Sequence, residues 1–176
     1  MNSVFLFFFL TRPISPICQS PFFPYLTFEI LLQLEPRLGA AYTNLGLAYG
    51  AAGQHELAAQ WSGLGAALMP DDAEAHNAHG AALQAAGQLP EALEAFERAV
   101  ERTRGRDEAV RARLNRGGAL RASGRLAEAT HVYGQLVQLG GATQAQAYTG
   151  LGATLQADGR QKLAQEASLA SLAQSR

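Results

Sequence analysis

The sequence predicts an all-α protein, an α-solenoid built from stacked antiparallel helix pairs. A pair of glycines seven residues apart marks each of four recurring units, and equivalent glycines of these units are separated by 34, 37 and 35 residues. A recurring unit of this length is typical of helix–turn–helix repeats. The later glycine of each pair suits the left-handed position just past a helix end. The glycine pairs are Gly46 and Gly53, Gly80 and Gly87, Gly117 and Gly124, and Gly152 and Gly159.

Length and composition indicate a folded chain. Its 176 residues allow one domain, or one domain with a tail. A hydrophobic content of 48% with a net charge of −1 argues against disorder, and it suggests no polyanionic partner. The single cysteine, Cys18, excludes an internal disulfide and a cysteine-rich zinc site.

Residues 1–27 differ from the rest and are predicted to lie outside the repeat fold. Four of the seven prolines fall there, and the first alanine of the chain is Ala40. The apolar run at residues 4–10 is short for a signal peptide, no basic residue precedes it, and a membrane span needs about 20 apolar residues. We therefore expect a cytoplasmic protein. Secretion, or membrane contact through residues 4–10, is the less favoured alternative.

The repeat domain is predicted to cover residues 28–176. It begins with a truncated unit at 28–36, which would cover the apolar face of repeat one. Four full units follow at about 37–70, 71–104, 108–141 and 143–176, called repeats one to four below. Their helices are expected near 38–52, 55–68, 72–86, 89–103, 108–123, 126–138, 143–158 and 161–174.

Helix-terminal signals support these boundaries. Asp71 with Glu74, directly after Pro70, has the pattern of a capping box that opens the next helix. Pro90 suits the first turn of its helix, where no intrahelical N–H is needed. The small residues Gly46 and Ala58 permit the two helices of repeat one to approach closely.

The repeated residues resemble the tetratricopeptide repeat family over residues 28–176. The family pattern has an aromatic residue, then Leu-Gly, a second aromatic, and later Ala, an aromatic and Pro. Repeat one matches it with Tyr42, Leu45, Gly46, Tyr49, Ala58 and Pro70; repeat two with Gly80, Leu83, Ala92 and Phe96; repeat three with Gly117, Leu120, Ala129 and Tyr133; repeat four with Tyr148, Leu151, Gly152, Leu155 and Ala164. Ser62, Ser168 and Arg113 depart from it at aromatic positions.

The resemblance implies a solenoid whose first helices line a concave groove. The implied function is a non-catalytic scaffold that binds a peptide or a partner helix. The alternative is the substrate-recognition arm of a larger enzyme, such as an O-linked N-acetylglucosamine transferase. Asn44 and Asn115 match the asparagine that those arms carry two residues before the glycine, whereas repeats two and four have Ala78 and Gly150 there.

Five residues are candidates for the groove. At about 100° per residue, Arg111, Asn115 and Arg121 share one arc of the first helix of repeat three, opposite an arc that holds Arg113 and Arg116. Asn44 and Asn77 belong to the same face of earlier repeats. Asparagine amides donate to and accept from a peptide backbone, and arginines bind carboxylates. The expected partner is a protein or peptide segment, and the arginines suggest an acidic one.

The sequence offers no clear enzymatic site. There is no phosphate-binding loop or nucleophile elbow, so no catalytic residue and no cofactor is predicted. His76 and His79 share a helix face and resemble part of a zinc site, but a third ligand cannot be named. The favoured interpretation is that they fill packing positions, and no metal is predicted.

The stretch from Arg98 to Arg125 is rich in arginine. Nine arginines and three acids leave a net charge of +6 there. One interpretation is a basic patch for an acidic partner. The favoured one is a solvated helix surface with paired charges. Nucleic acid is not expected, because the stretch has no aromatic residue for base stacking.

Overall fold

The computed structural model describes residues 39–103, 105–140 and 143–174, except for the side chains of residues 106–108. These residues form eight α-helices and no β-strand. The helices are α1 Gly39–Ala51, α2 His55–Leu68, α3 Ala73–Ala85, α4 Leu89–Arg102, α5 Arg106–Ala122, α6 Leu126–Leu139, α7 Gln144–Ala157 and α8 Gln161–Gln174. All eight begin and end within two residues of the predicted positions. The predictions for residues 1–27 and 28–36 lie outside the described residues.

The helices form a solenoid. Each first helix packs against the second helix of its own repeat, and each second helix packs against the first helix of the next repeat. First helices of neighbouring repeats also touch, so that α1, α3, α5 and α7 form one continuous layer. Among the described helices, none combines the length and the apolar character needed to cross a lipid bilayer.

A left-handed glycine ends each first helix, as predicted. Gly53, Gly87, Gly124 and Gly159 have φ angles between +75° and +78°. At Gly53 this conformation turns the chain so that Gln54 N donates to Tyr49 O at 3.0 Å. A carbonyl of the last turn of α1 is thereby satisfied before α2 begins.

The N-terminus of α3 corrects one prediction. Asp72, rather than Asp71, caps the helix: its Oδ1 accepts from Glu74 N at 2.9 Å and from Ala75 N at 3.3 Å. Because α3 begins at Ala73, only the residue directly before it can reach these amides. Asp71 instead lies 3.4 Å from Arg102. Pro90 lies in the first turn of α4 as predicted.

The contact between α1 and α2 depends on Gly46. A Cβ atom added at Gly46 would lie 2.8 Å from Ser62 N and 2.9 Å from Ala58 O, both backbone atoms. Ser62 replaces the aromatic residue of the family pattern, and its hydroxyl donates to Ala58 O at 2.6 Å. With no ring between them, the two backbones of repeat one meet directly.

Repeats two and three place an aromatic ring at this position. A Cβ at Gly80 would lie 2.7 Å from the Phe96 ring, and one at Gly117 would lie 2.8 Å from the Tyr133 ring. Each ring is the centre of a hydrophobic cluster. One contains Phe96 with Ala59, Leu83, Ala92, Ala95 and Ala119; the other contains Tyr133 with Val110, Leu120, Ala129, Val132, Leu136 and Ala147. Both clusters join adjacent repeats, as a solenoid core must.

Arg113, which stands at an aromatic position of the repeat pattern, does not pack in the core. Its side chain is exposed, whereas Val110 and Ala112 are buried. Burying an unpaired guanidinium is costly, and the small side chain of Ala112 packs without that cost. Arg116, on the same predicted arc, is only partly buried, and it pairs with Glu97 at 3.0 Å.

Candidate partner-binding site

The predicted groove residues lie on the layer of first helices. Asn44 is on α1, Asn77 on α3, and Arg111, Asn115 and Arg121 on α5. Since α1 contacts α3, and α3 contacts α5, this layer brings side chains from separate repeats to one surface.

Asn77 and Asn115 are hydrogen-bonded to each other. Asn115 Nδ2 donates to Asn77 Oδ1 at 2.9 Å. Asn77 is buried and Asn115 is partly buried. The bond forms although the two asparagines are not at equivalent sequence positions: Asn77 is three residues before Gly80, whereas Asn115 is two residues before Gly117. Each amide keeps further donor and acceptor capacity for another group.

Glu74 and Arg111 form a second link between α3 and α5. The Arg111 guanidinium lies 3.3 Å and 3.4 Å from the two carboxylate oxygens of Glu74. Both side chains are about half exposed. This ion pair is one helical turn from the asparagine pair, so two parallel bridges connect repeats two and three. A solvent-exposed pair of this kind contributes little to stability, and it can exchange partners.

A cavity adjoins these bridges between repeats three and four. Its volume is about 620 Å³, and it is lined by Arg111, Leu114, Asn115, Tyr133, Thr143 and Gln146. Two of the five predicted residues, Arg111 and Asn115, therefore line it directly. Asn77 is bonded to one of them.

Arg121 and Asn44 take different positions. Arg121 is exposed on α5, and its charge acts on the Tyr133 hydroxyl. Burial raises the pKa of that hydroxyl, and Arg121 opposes the rise. Asn44 is exposed on α1, two first helices away from α5 in the layer.

Tyr133 lines the cavity although the sequence analysis did not place it there. The repeat pattern assigned it to the core, and its ring does pack there, but the hydroxyl reaches the cavity and is 3.5 Å from Leu114 O. Its ring lies against both Gly117 and Gly150. The sequence had one sign that a bulky ring lies here: repeat four has Gly150 at the position where repeats one and three have asparagine. Thr143 and Gln146 had no signal of their own.

The arginine-rich stretch is largely neutralised by acids that lie outside it. Across helices, Arg102 pairs with Asp71, Arg111 with Glu74 and Arg116 with Glu97, while Arg98 pairs with Glu94 and Arg125 with Glu128 nearby in sequence. The Arg125 hydrogen bond holds the pKa of Glu128 below its usual range. The surface of the arginine-rich stretch therefore consists largely of paired charges, in agreement with the interpretation that the sequence favoured.

His76 and His79 take packing positions. His76 is buried, and its Nε2 lies 2.9 Å from Pro70 O. The ring of His79 lies against Gly63 of α2. Burial, followed by the nearby His76 and Arg98, lowers the pKa of His79. In the part of the chain that the structure describes, no three His, Cys, Asp or Glu residues are grouped so as to hold a metal ion.

Comparisons with known proteins identify the fold. No protein-family model matches the chain, and no curated protein sequence matches it. Among solved structures, MamA is similar with a TM-score of 0.74 and 17% identity, over 93% of this chain and 95% of MamA. YrrB, described as a TPR protein with an unusual peptide-binding site, has a TM-score of 0.67 and 20% identity, over 84% of this chain and 74% of YrrB.

A third similar structure contains the TPR-like repeats of a putative kinesin light chain from Podosopora anserina. Its TM-score is 0.76 with 20% identity, over 88% of this chain and 84% of that one. The predicted fold is confirmed: the chain is an α-solenoid of the tetratricopeptide repeat type.

Proposed function

We propose that this protein is a non-catalytic scaffold that binds a segment of a partner protein on the layer of first helices. The observation that carries the proposal is the cavity between repeats three and four. There Arg111, Asn115 and the Tyr133 hydroxyl converge beside the apolar side chain of Leu114. A concave site with apolar walls and a few oriented polar groups is the usual form of a recognition site.

The proposed ligand is an extended or helical peptide with at least one acidic side chain. Asn115, held in place by its hydrogen bond to Asn77, would bond its backbone, a contact that tolerates different ligand sequences. Arg111 would exchange Glu74 for a carboxylate of the ligand, and Arg121 would add a second cation at the rim. Because these arginines are exposed, binding should be moderate and should weaken as salt is added.

The similar structures support the proposal only in general terms. YrrB is described as having a peptide-binding site, and we extend that kind of role, not its details, to this chain. We place the protein in the cytoplasm on the sequence argument above. A role as the recognition arm of a larger enzyme would use the same surface.

The test is a peptide-display screen followed by affinity measurements on variants. The site variant combines Asn44→Ala, Asn115→Ala, Arg111→Glu and Arg121→Glu. We expect it to lose at least tenfold in affinity for a selected peptide. The control carries Arg98→Glu and Arg125→Glu, which reverse the same number of charges on exposed arginines outside the cavity. It should bind like the wild type. Equal affinity of the wild type and the site variant would show that the ligand binds elsewhere.

A further inference from the structure

Repeat three has a second glycine in its first helix, at a position where the other repeats carry a side chain. Gly118 directly follows the repeat glycine Gly117, and the equivalent residues of the other repeats are Leu47, Ala81 and Ala153. Leu47 and Ala81 are exposed, and Gly118 is partly exposed. The position therefore lies at the surface of the layer of first helices, where the partner-binding site was placed.

Packing does not explain this glycine. A Cβ atom added to Gly118 would lie 3.8 Å from the Tyr133 hydroxyl and 3.9 Å from Gln84 Nε2, which are ordinary contact distances. At Gly46 and Gly117 an added Cβ would instead come within 2.8 Å of a neighbouring atom. A glycine inside a helix also costs stability relative to alanine, and one use of glycine is to let a ligand approach the backbone closely.

The missing side chain leaves a notch beside the cavity between repeats three and four. Gln84 of α3 borders this Gly118 notch on one side, and the hydroxyl of Tyr133 borders it on the other. The same hydroxyl lines the cavity together with Leu114 and Asn115, which lie about one turn before Gly118 on α5. The notch and the cavity therefore form one continuous surface.

The polar groups around the notch fit the main chain of a peptide. The amides of Gln84 and Asn115 can each donate and accept hydrogen bonds, and so can the Tyr133 hydroxyl. An extended segment presents free N–H and C=O groups along its whole length, whereas a helix satisfies these groups internally except at its ends. An extended segment can therefore use these partners while its main chain lies against the bare Cα atom of Gly118.

We propose that the ligand is an extended peptide segment whose main chain crosses α5 at Gly118, between the Gln84 amide and the Tyr133 hydroxyl. This choice rests on the proposed function, and it excludes a helical ligand at this point. On one side of the crossing, a ligand side chain enters the cavity beside Leu114. On the other side, the segment passes Arg121, one turn beyond Gly118 on α5. A side chain at position 118 would hold the main chain of the ligand away from all of these groups.

The first test compares glycine substitutions, with the tightest-binding peptide from the display screen as the probe. Gly118→Ala and Gly118→Leu introduce side chains that repeats two and one already carry at this position, so both variants should fold. The affinity should fall about fivefold for Gly118→Ala and about fiftyfold for Gly118→Leu, because each side chain obstructs the crossing.

The matched control is Gly134→Ala on α6, where an added Cβ meets nothing within 4 Å. Gly118→Ala and Gly134→Ala should both raise the melting temperature, since alanine is the better helix former. Only Gly118→Ala should weaken binding. A Gly118→Ala variant that is less stable than the wild type would show that the glycine serves packing, and it would overturn the inference.

The second test examines the conformation of the bound peptide. A lactam bridge between two side chains four residues apart favours the helix, and it is placed at two positions of the probe that tolerate alanine. The bridged probe should bind about tenfold more weakly than the same peptide with the lactam left open. Because fixing a ligand in its bound conformation strengthens binding, tighter binding of the bridged form would contradict an extended ligand.

These measurements separate the inference from the function on which it rests. If the fourfold site variant loses affinity while Gly118→Ala binds like the wild type, the notch is not used and the proposed function stands. If no peptide is selected, or if the site variant and both Gly118 variants bind like the wild type, the proposed function fails and the inference fails with it.

Discussion

The ring of Tyr133 occupies the space that a side chain at position 150 would need. A Cβ atom added to Gly150 would overlap the ring atoms Cε1 and Cζ. This contact explains why repeat four has a glycine where repeats one and three have asparagine. It also holds the Tyr133 hydroxyl at the cavity between repeats three and four.

Restoring asparagine with Gly150→Asn should therefore destabilise the protein. We expect a loss of about 1–3 kcal/mol in the free energy of unfolding, since the side chain overpacks a filled core. Gly134→Asn on α6 is the control, because an added Cβ there meets nothing within 4 Å. Urea denaturation would measure both. In a Tyr133→Ala background the cost of Gly150→Asn should largely disappear, and a purely additive result would contradict the assigned contact.

Two helical glycines should respond in opposite directions to alanine. Gly46→Ala brings a Cβ against backbone atoms of α2, which cannot move aside like a flexible side chain. A loss of roughly 1–3 kcal/mol is expected. At Gly118 the nearest atom to an added Cβ is the Tyr133 hydroxyl at 3.8 Å. Gly118→Ala should gain about 0.5–1 kcal/mol from helix propensity. Thermal or urea unfolding that ranks them the other way would mean that the α1–α2 contact is misplaced.

Mild acid should loosen the junction of repeats one and two. The folded protein lowers the pKa of His79 below its usual 6.5, mainly by burial. The unfolded chain therefore binds a proton more readily than the folded chain when the pH falls below about 6.5, and stability is lost in that range while it is fully present above it. His79→Gln should reduce this loss between about pH 7.5 and 5.5. His131→Gln, at an exposed histidine on α6, should not. Unfolding curves at several pH values would decide.

Glu74 should compete with the proposed ligand for Arg111. Removing its charge with Glu74→Gln would free the guanidinium, so an acidic peptide obtained in the screen should bind several-fold more tightly at low salt. Arg111→Gln should weaken the same peptide, and added salt should shrink both effects. Titration calorimetry would measure the affinities. A tighter complex in both variants would argue against a carboxylate in the ligand.

The helices were predictable because their signals are local. Gly53 and its counterparts end the first helices through their own backbone conformation, and Pro90 lies in the first turn of α4 where its missing N–H costs nothing. The one cap that was placed wrongly, at Asp71 instead of Asp72, differs by a single residue. Such signals act within a few residues, so the order of amino acids contains them completely.

The site was predictable only as a helix face. The arc of α5 identified Arg111 and Asn115, but not that Glu74 and Asn77, 37 and 38 residues earlier, are their partners. The repeat pattern assigned Tyr133 to the core and did not indicate that its hydroxyl reaches the cavity. The charge of +6 counted along the arginine-rich stretch also left out Asp71, Glu74 and Glu97, which pair with three of its arginines across helices.

The sequence by itself determined that the described part of this protein is a row of helix pairs, and where each helix begins and ends to within two residues. The tertiary structure alone decided which side chains meet across repeats, and so which charges, amides and rings form one surface. The physical reason is range. Helix ends depend on neighbours along the chain, whereas contacts between repeats depend on how adjacent helices are offset and rotated, and close packing of glycines against rings and backbone sets that geometry.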